Sequence, residues 1–109
     1  MPNPAKPLPA CPVETTLTLI SNKWKVLILR ELLTGAKRFG ELRRSIGAVT
    51  QKVLTAQLRQ MEESGLVSRT VYPEVPPRVE YSLTELGFSL KPILDAMWSW
   101  GVAYQAQSR

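Results

Sequence analysis

Apolar residues recur along this chain with a period that changes twice, and the changes mark out its elements. The first ten residues hold Pro2, Pro4, Pro7 and Pro9 and offer no periodic apolar face, which predicts an extended arm over 1–10. From Pro12, a residue suited to a first helical position, Val13, Leu17 and Ile20 fall at helical spacing and predict a short helix over 12–20. Ser21 or Asn22 can cap a second helix, in which Trp24, Leu27, Ile28 and Leu32 form a stripe ended by Gly35. Phe39, Leu42 and Ile46 describe two further turns, stopped near Gly47. Thr50 can cap a fourth helix whose Leu54, Leu58 and Met61 lie at i, i+4 and i+7, with Gly65 closing it.

Past Gly65 the period becomes two. Residues 66–72 and 78–83 alternate as strands do, and Pro73-Glu74-Val75-Pro76-Pro77 between them is too long and too proline-rich for a two-residue hairpin turn. A stiff projecting loop, a wing, is the expectation. Thr84 and Glu85 then open a last helix carrying Leu86, Leu90, Ile93, Met97, Trp98, Trp100 and Tyr104, with a kink expected at Pro92. The order is four helices, strand, wing, strand, helix: a mainly α domain with a small β-hairpin (α+β). The domain spans 11–104, between the proline-rich arm and a tail over 105–109.

Composition bounds the chemistry. A chain of 109 residues with 44% hydrophobic and 21% charged residues makes one globular domain. Histidine is absent and Cys11 is the one cysteine, which excludes histidine-based triads, His/Cys zinc sites and an intramolecular disulfide. No metal or cofactor motif appears, and an enzyme is not expected. A thiol reductase built on Cys11 would lack a resolving cysteine and a base. The start of the chain lacks the apolar run of a signal peptide and no stretch is long enough to span a bilayer, so the expected location is the cytoplasm, with no membrane partner.

Charge is localised. The chain carries 14 bases and 9 acids, net +5, and residues 37–59 alone hold Lys37, Arg38, Arg43, Arg44, Lys52 and Arg59 against Glu41, also +5. A polyanion such as double-stranded DNA fits this segment, because phosphate neutralisation supplies most non-specific affinity. A solvated helical face would give the same charge. Geometry favours the first reading. At 100° per residue, Lys52, Thr55, Ala56 and Arg59 lie opposite the apolar stripe of the helix from Thr50, and a helix so held can enter the major groove. Lys52 and Arg59 can reach phosphates or guanine; Gln51 can pair with adenine; Thr55 can touch a thymine methyl; Thr50 and the free amides beside it can receive a phosphate. Lys37, Arg38, Arg43 and Arg44, at the two ends of the preceding helix, are placed for backbone contacts, although the helix dipole could account for one of the last pair. Arg78 follows Pro76 and Pro77, so the wing would either hold a free guanidinium to a minor groove or phosphate, or tie it to Glu74 or Glu80.

The runs Cys11-Pro12-Val13-Glu14, Lys23-Trp24-Lys25-Val26-Leu27-Ile28-Leu29-Arg30-Glu31-Leu32, Arg38-Phe39-Gly40-Glu41-Leu42, Gln51-Lys52-Val53-Leu54-Thr55 and Val79-Glu80-Tyr81-Ser82-Leu83-Thr84 closely resemble the HxlR family of bacterial winged helix-turn-helix transcriptional regulators. The resemblance covers residues 11 to about 101. It implies a sequence-specific, homodimeric regulator, with the helix from Thr50 reading the major groove and Pro76 to Arg78 as the wing. It also implies a dimer built from residues near Cys11–Ile20 and Glu85–Tyr104. Many family members carry a cysteine where Cys11 stands, and some use it to sense oxidants or electrophiles such as aldehydes and quinones.

The residues support a dimer independently. The last helix is apolar over more than one stripe, with Leu90, Ile93, Met97, Trp100 and Tyr104 on one side and Leu94, Trp98 and Gly101 broadening it. Val13 and Leu17 of the first helix join this candidate interface. Packing across its own domain is the alternative for the last helix. Two symmetry-related recognition helices would read half-sites about one helical turn apart, making a near-palindromic operator. Cys11 precedes Pro12 at a helix start, where free amides favour a thiolate, while Glu14 opposes this; a small apolar dimer contact is the other reading. A winged-helix protein-interaction module without specific DNA binding remains the competing function, and no residue pattern specifies a small-molecule effector.

Overall fold

A computed structural model describes residues 7–108, so residues 1–6 of the expected arm and Arg109 of the expected tail lie outside the described residues. Residues 7–10 adopt no regular structure, and the Pro9 carbonyl accepts a bond from Thr15 Oγ1 at 3.1 Å. Helices α1 (Pro12–Leu19), α2 (Lys23–Leu32), α3 (Phe39–Ile46) and α4 (Gln51–Glu63) follow. Strands β1 (Val67–Tyr72) and β2 (Arg78–Leu83) then precede α5 (Glu85–Phe88) and α6 (Lys91–Gln107).

The helix boundaries have local causes. Asn22 Oδ1 accepts the Lys25 N–H (3.0 Å) and Thr50 Oγ1 the Val53 N–H (3.1 Å), so each side chain satisfies a donor the helix start leaves unpaired. Glu41 reaches back to accept the Arg38 N–H at 2.7 Å. Gly47 ends α3 at φ +91°, a conformation that any side chain would strain, and both α3 and the α4 that follows pack on α2.

The core is built on α2, α3 and α4. Ile28, Leu29, Leu32, Leu42, Leu54, Leu58, Met61 and Leu66 are fully buried, and Val67, Leu83, Leu90 and Leu94 close it. In α2 the inward positions are 25, 28, 29 and 32 rather than the expected 24, 27, 28 and 32. That stripe is rotated because α2 packs on α3, α4 and β2 together. Trp24 is half-buried under Lys23 (4.5 Å to the ring centroid), and the Lys25 stem is buried in its place.

The strands pair antiparallel in the register Val67↔Leu83, Arg69↔Tyr81 and Tyr72↔Arg78. One further pairing is not visible in the sequence pattern. Lys37 bonds Tyr81 through both backbone groups, at 2.9 and 2.8 Å, which adds a third edge to the hairpin and locks the start of α3 onto β2.

The end of the chain corrects an expectation. Instead of one helix kinked at Pro92, α5 ends at Phe88 and α6 starts at Lys91, with Pro92 in its first turn, where a missing N–H leaves no bond unmade. The helix continues through Gln107, beyond the expected limit at 104. Gly87 in α5 is buried against Leu66, and a Cβ there would collide with the Leu66 carbonyl oxygen. Thr84 fixes that approach through its own N–H to the same oxygen at 3.0 Å. Leu90 and Leu94, expected in a dimer interface, are instead buried in the protomer's own core. Only the start of that face is covered: Ile93 beside them, and Met97, Trp100 and Tyr104 further along α6, are exposed.

Candidate nucleic-acid interface

Helix α4 is amphipathic in the sense that placement requires. Leu54, Leu58 and Met61 are buried, and on the opposite side Gln51, Lys52, Thr55, Ala56 and Arg59 line one shallow, open depression. All except the half-buried Thr55 are exposed. Thr50 uses an oxygen lone pair for the cap, which leaves its hydroxyl hydrogen and the amides of Gln51 and Lys52 facing outward at the positive end of the helix.

Among the described residues, Lys52, Arg59, Lys37, Arg38 and Arg44 form no ion pair. Glu41, the one acid in the basic segment, is engaged at the start of α3 with the Arg38 backbone. Arg43 is partly committed: its Nε donates to the Val49 carbonyl across the turn between α3 and α4, at 3.4 Å. Lys37 is half-buried and its backbone is held in the sheet.

The wing departs from the free-guanidinium reading. Pro76 and Pro77 are exposed at its tip, after a cis Val75–Pro76 bond, but Arg78 is enclosed. Its Nε lies 3.0 Å from Glu74 Oε2, its Nη1 3.2 Å from Glu80 Oε2, and its guanidinium 4.0 Å above the Tyr72 ring. The Nε contact is an ion pair without an aligned hydrogen bond, since that buried atom has no hydrogen-bond partner. Two carboxylates and one aromatic face hold this cation, so Arg78 braces the wing rather than extending from it.

Two features lay outside the sequence reading. Arg69 of β1, together with Tyr81, Thr55, Leu58, Arg59 and Glu62, lines a second groove between α4 and the hairpin. Its signal was available, since strand alternation puts Arg69 on the same side as the inward-facing Val67. Asn22, besides capping α2, donates from Nδ2 to Gln57 Oε1 of α4 at 3.1 Å. No local pattern reveals a contact across 35 positions.

Helices α1 and α6 carry most of the exposed large apolar side chains among the described residues. No residue of α1 is buried, and Val13 and Leu17 are open to solvent. Along α6, Trp100 and Tyr104 stack with centroids 5.1 Å apart, Trp98 lies under Arg30 at 4.2 Å, and Gly101 is half-buried. The Cys11 thiol is exposed at the N-cap of α1. Among the described residues there is no cluster of metal-ligating side chains, and no helix is long and apolar enough to cross a membrane.

A family model described as HxlR-like helix-turn-helix matches residues 19–109. The chain is 50% identical over 95 residues to the HTH-type transcriptional regulator YdeP of Bacillus subtilis (strain 168), covering 87% of this chain and 74% of that one. Its fold is similar to that of the redox regulator HypR. The oxidised form superposes with a TM-score of 0.82 at 50% identity, over 85% of this chain and 96% of that one. The reduced form gives 0.84 at 46% identity, over 91% of this chain and all of that one (100%).

Proposed function

The chain belongs to the HxlR-like helix-turn-helix family, and from that premise we propose that it is a transcriptional regulator acting as a homodimer on double-stranded DNA in the cytoplasm. The observation that carries this reading is the outer side of α4. Among the described residues its cations have no carboxylate partner, and its Leu54, Leu58 and Met61 are anchored in the core. Such a helix can enter the major groove, where Gln51 and Thr55 meet base edges, Lys52 and Arg59 reach base edges or phosphates, and Thr50 with the helix start meets a phosphate. Lys37, Arg38 and Arg44 flank α4 and contact the backbone. The exposed sides of α1 and α6 pair two protomers, so two copies of α4 address a near-palindromic site. Cys11 is the proposed sensing residue. Its thiol is open to oxidants and lies in an element assigned to the dimer, and the similar HypR is described as a redox regulator.

The test is affinity for DNA across a salt series, on a duplex selected from a randomised pool and on random duplex. The selected duplex should bind at least about a thousandfold more tightly. Lys52→Ala with Arg59→Ala should abolish that preference while the helical circular dichroism is retained. Equal affinity for both duplexes at every salt concentration would refute sequence-specific regulation.

A further inference from the structure

The hairpin presents two cations to two different sides. In the observed register Val67, Arg69 and Val71 share one side with Val79, Tyr81 and Leu83, because opposed residues in an antiparallel pair point the same way. Val67 and Leu83 on that side are buried in the core, so the side faces inward, and further out it meets α4. Arg69 therefore opens into the groove that it lines with Arg59, Thr55 and Tyr81. Tyr72, Glu80 and Arg78 belong to the other side.

Their electrostatic situations are opposite as well. Arg78 has two carboxylates and an aromatic face, and moving it to a phosphate would leave Glu74 and Glu80 unpaired beside the polyanion. Arg69 and Arg59 have no ion-pair partner among the described residues, even though Glu62 lines the same groove. The groove thus holds two arginines against one acid. It is continuous with the outer depression of α4, since Thr55 and Arg59 line both. A strand of backbone bordering a major groove that α4 occupies would run along it.

Resting on the DNA-binding reading above, we propose that Arg69 and Arg59 together seat one phosphate of the duplex in this groove. The hairpin's electrostatic contact with DNA is then made at its base by Arg69 and not at its tip by Arg78. Two guanidinium groups converging on one phosphodiester can each donate paired hydrogen bonds to its oxygens. Such a contact adds affinity without sequence preference.

The test uses the full chain and a fluorescein-labelled duplex of random sequence, with affinity measured by anisotropy from low to physiological salt. Each neutralised phosphate adds about 0.9 to the slope of log affinity against log salt. Arg69→Gln should lower that slope by up to about this amount, Arg59 keeping part of the contact, and weaken binding equally on all sequences, and Arg69→Lys should restore the slope. Arg78→Gln should leave it unchanged, whatever it does to wing stability, because a structural brace releases no counterion. An unchanged slope in Arg69→Gln, or a lowered one in Arg78→Gln, would overturn the assignment. An absence of salt-dependent binding by the unsubstituted protein would overturn the DNA-binding reading itself, a separate and recognisable failure.

Discussion

The link between Asn22 and Gln57 sets a measurable expectation for how α4 is held. One side chain makes two bonds: Oδ1 caps α2 at 3.0 Å and Nδ2 reaches α4 at 3.1 Å. An N-cap contributes about 1 kcal/mol, and a neutral side-chain hydrogen bond a similar net amount, about 1 kcal/mol. Asn22→Ala removes both and should cost about 2 kcal/mol. Serine caps as well as asparagine but is too short to span to Gln57, so Asn22→Ser should cost about half as much. Gln57→Ala should cost about 1 kcal/mol, and combining it with Asn22→Ser should add almost nothing, a coupling of about 1 kcal/mol. In a domain of this size each kcal/mol moves Tm by about 4–8 °C. The assay is thermal and urea unfolding at one fixed protomer concentration, since an associating protein melts in a concentration-dependent way. If Asn22→Ser proves as damaging as Asn22→Ala, or if the two single losses simply add, Asn22 does not tie α2 to α4.

Three further outcomes follow from α6 and from the start of α1. Met97→Glu or Trp100→Glu should convert dimer to folded monomer in sedimentation. Either change occurs twice across a symmetric interface and removes about 1.5–3 kcal/mol of burial per copy, raising the dissociation constant about a hundredfold or more. Leu94→Ala should instead destabilise the protomer by about 2–5 kcal/mol, because that side chain is buried in its own core. For Cys11, treatment with peroxide should change the DNA affinity of the unsubstituted protein and leave Cys11→Ser unaffected; an equal response in both would remove Cys11 as the sensor.

What could be read from the chain was local. The Asn22 and Thr50 caps, the stop at Gly47, the stripe of Leu54, Leu58 and Met61, and the strands around the proline-rich loop all depend on neighbours within a turn or two, where spacing alone specifies the partner. The outer residues of α4 follow from its inner ones. The misreadings involve partners distant in sequence, or competition between near ones. The stripe of α2 rotated because three elements pack on it, and the bridge from Lys37 joins it to Tyr81, far along the chain. Pro92 was legible as a disruption but not as a helix start, since that depended on how α5 seats Gly87 against Leu66. At Arg78 both outcomes were visible in the sequence, and the choice between them turned on Tyr72, which the strand register brings beneath the guanidinium.

The placement of the acids, more than that of the bases, outlines the surface proposed to face DNA. Arginines and lysines occur at the tip of the wing, at its base and on both sides of α4, so net charge alone does not distinguish them. Carboxylates do. At the wing tip they outnumber the cation two to one and hold it. In the basic segment the single acid, Glu41, accepts from a backbone amide, and among the described residues the neighbouring cations form no ion pair. Along α4 the acids stand at its C-terminal end, Glu62 and Glu63, where a negative charge opposes the helix dipole. That arrangement costs helix stability, yet it grades α4 from cationic at Lys52 to acidic at Glu63. A polyanion approaching this gradient is drawn to the N-terminal half, and Glu62 is the first acid it meets beyond Arg59 and Arg69. Glu62→Gln therefore extends the attractive region rather than creating a new one. It should tighten binding to selected and random duplex alike, and an effect confined to one sequence would place Glu62 among the base-reading groups instead.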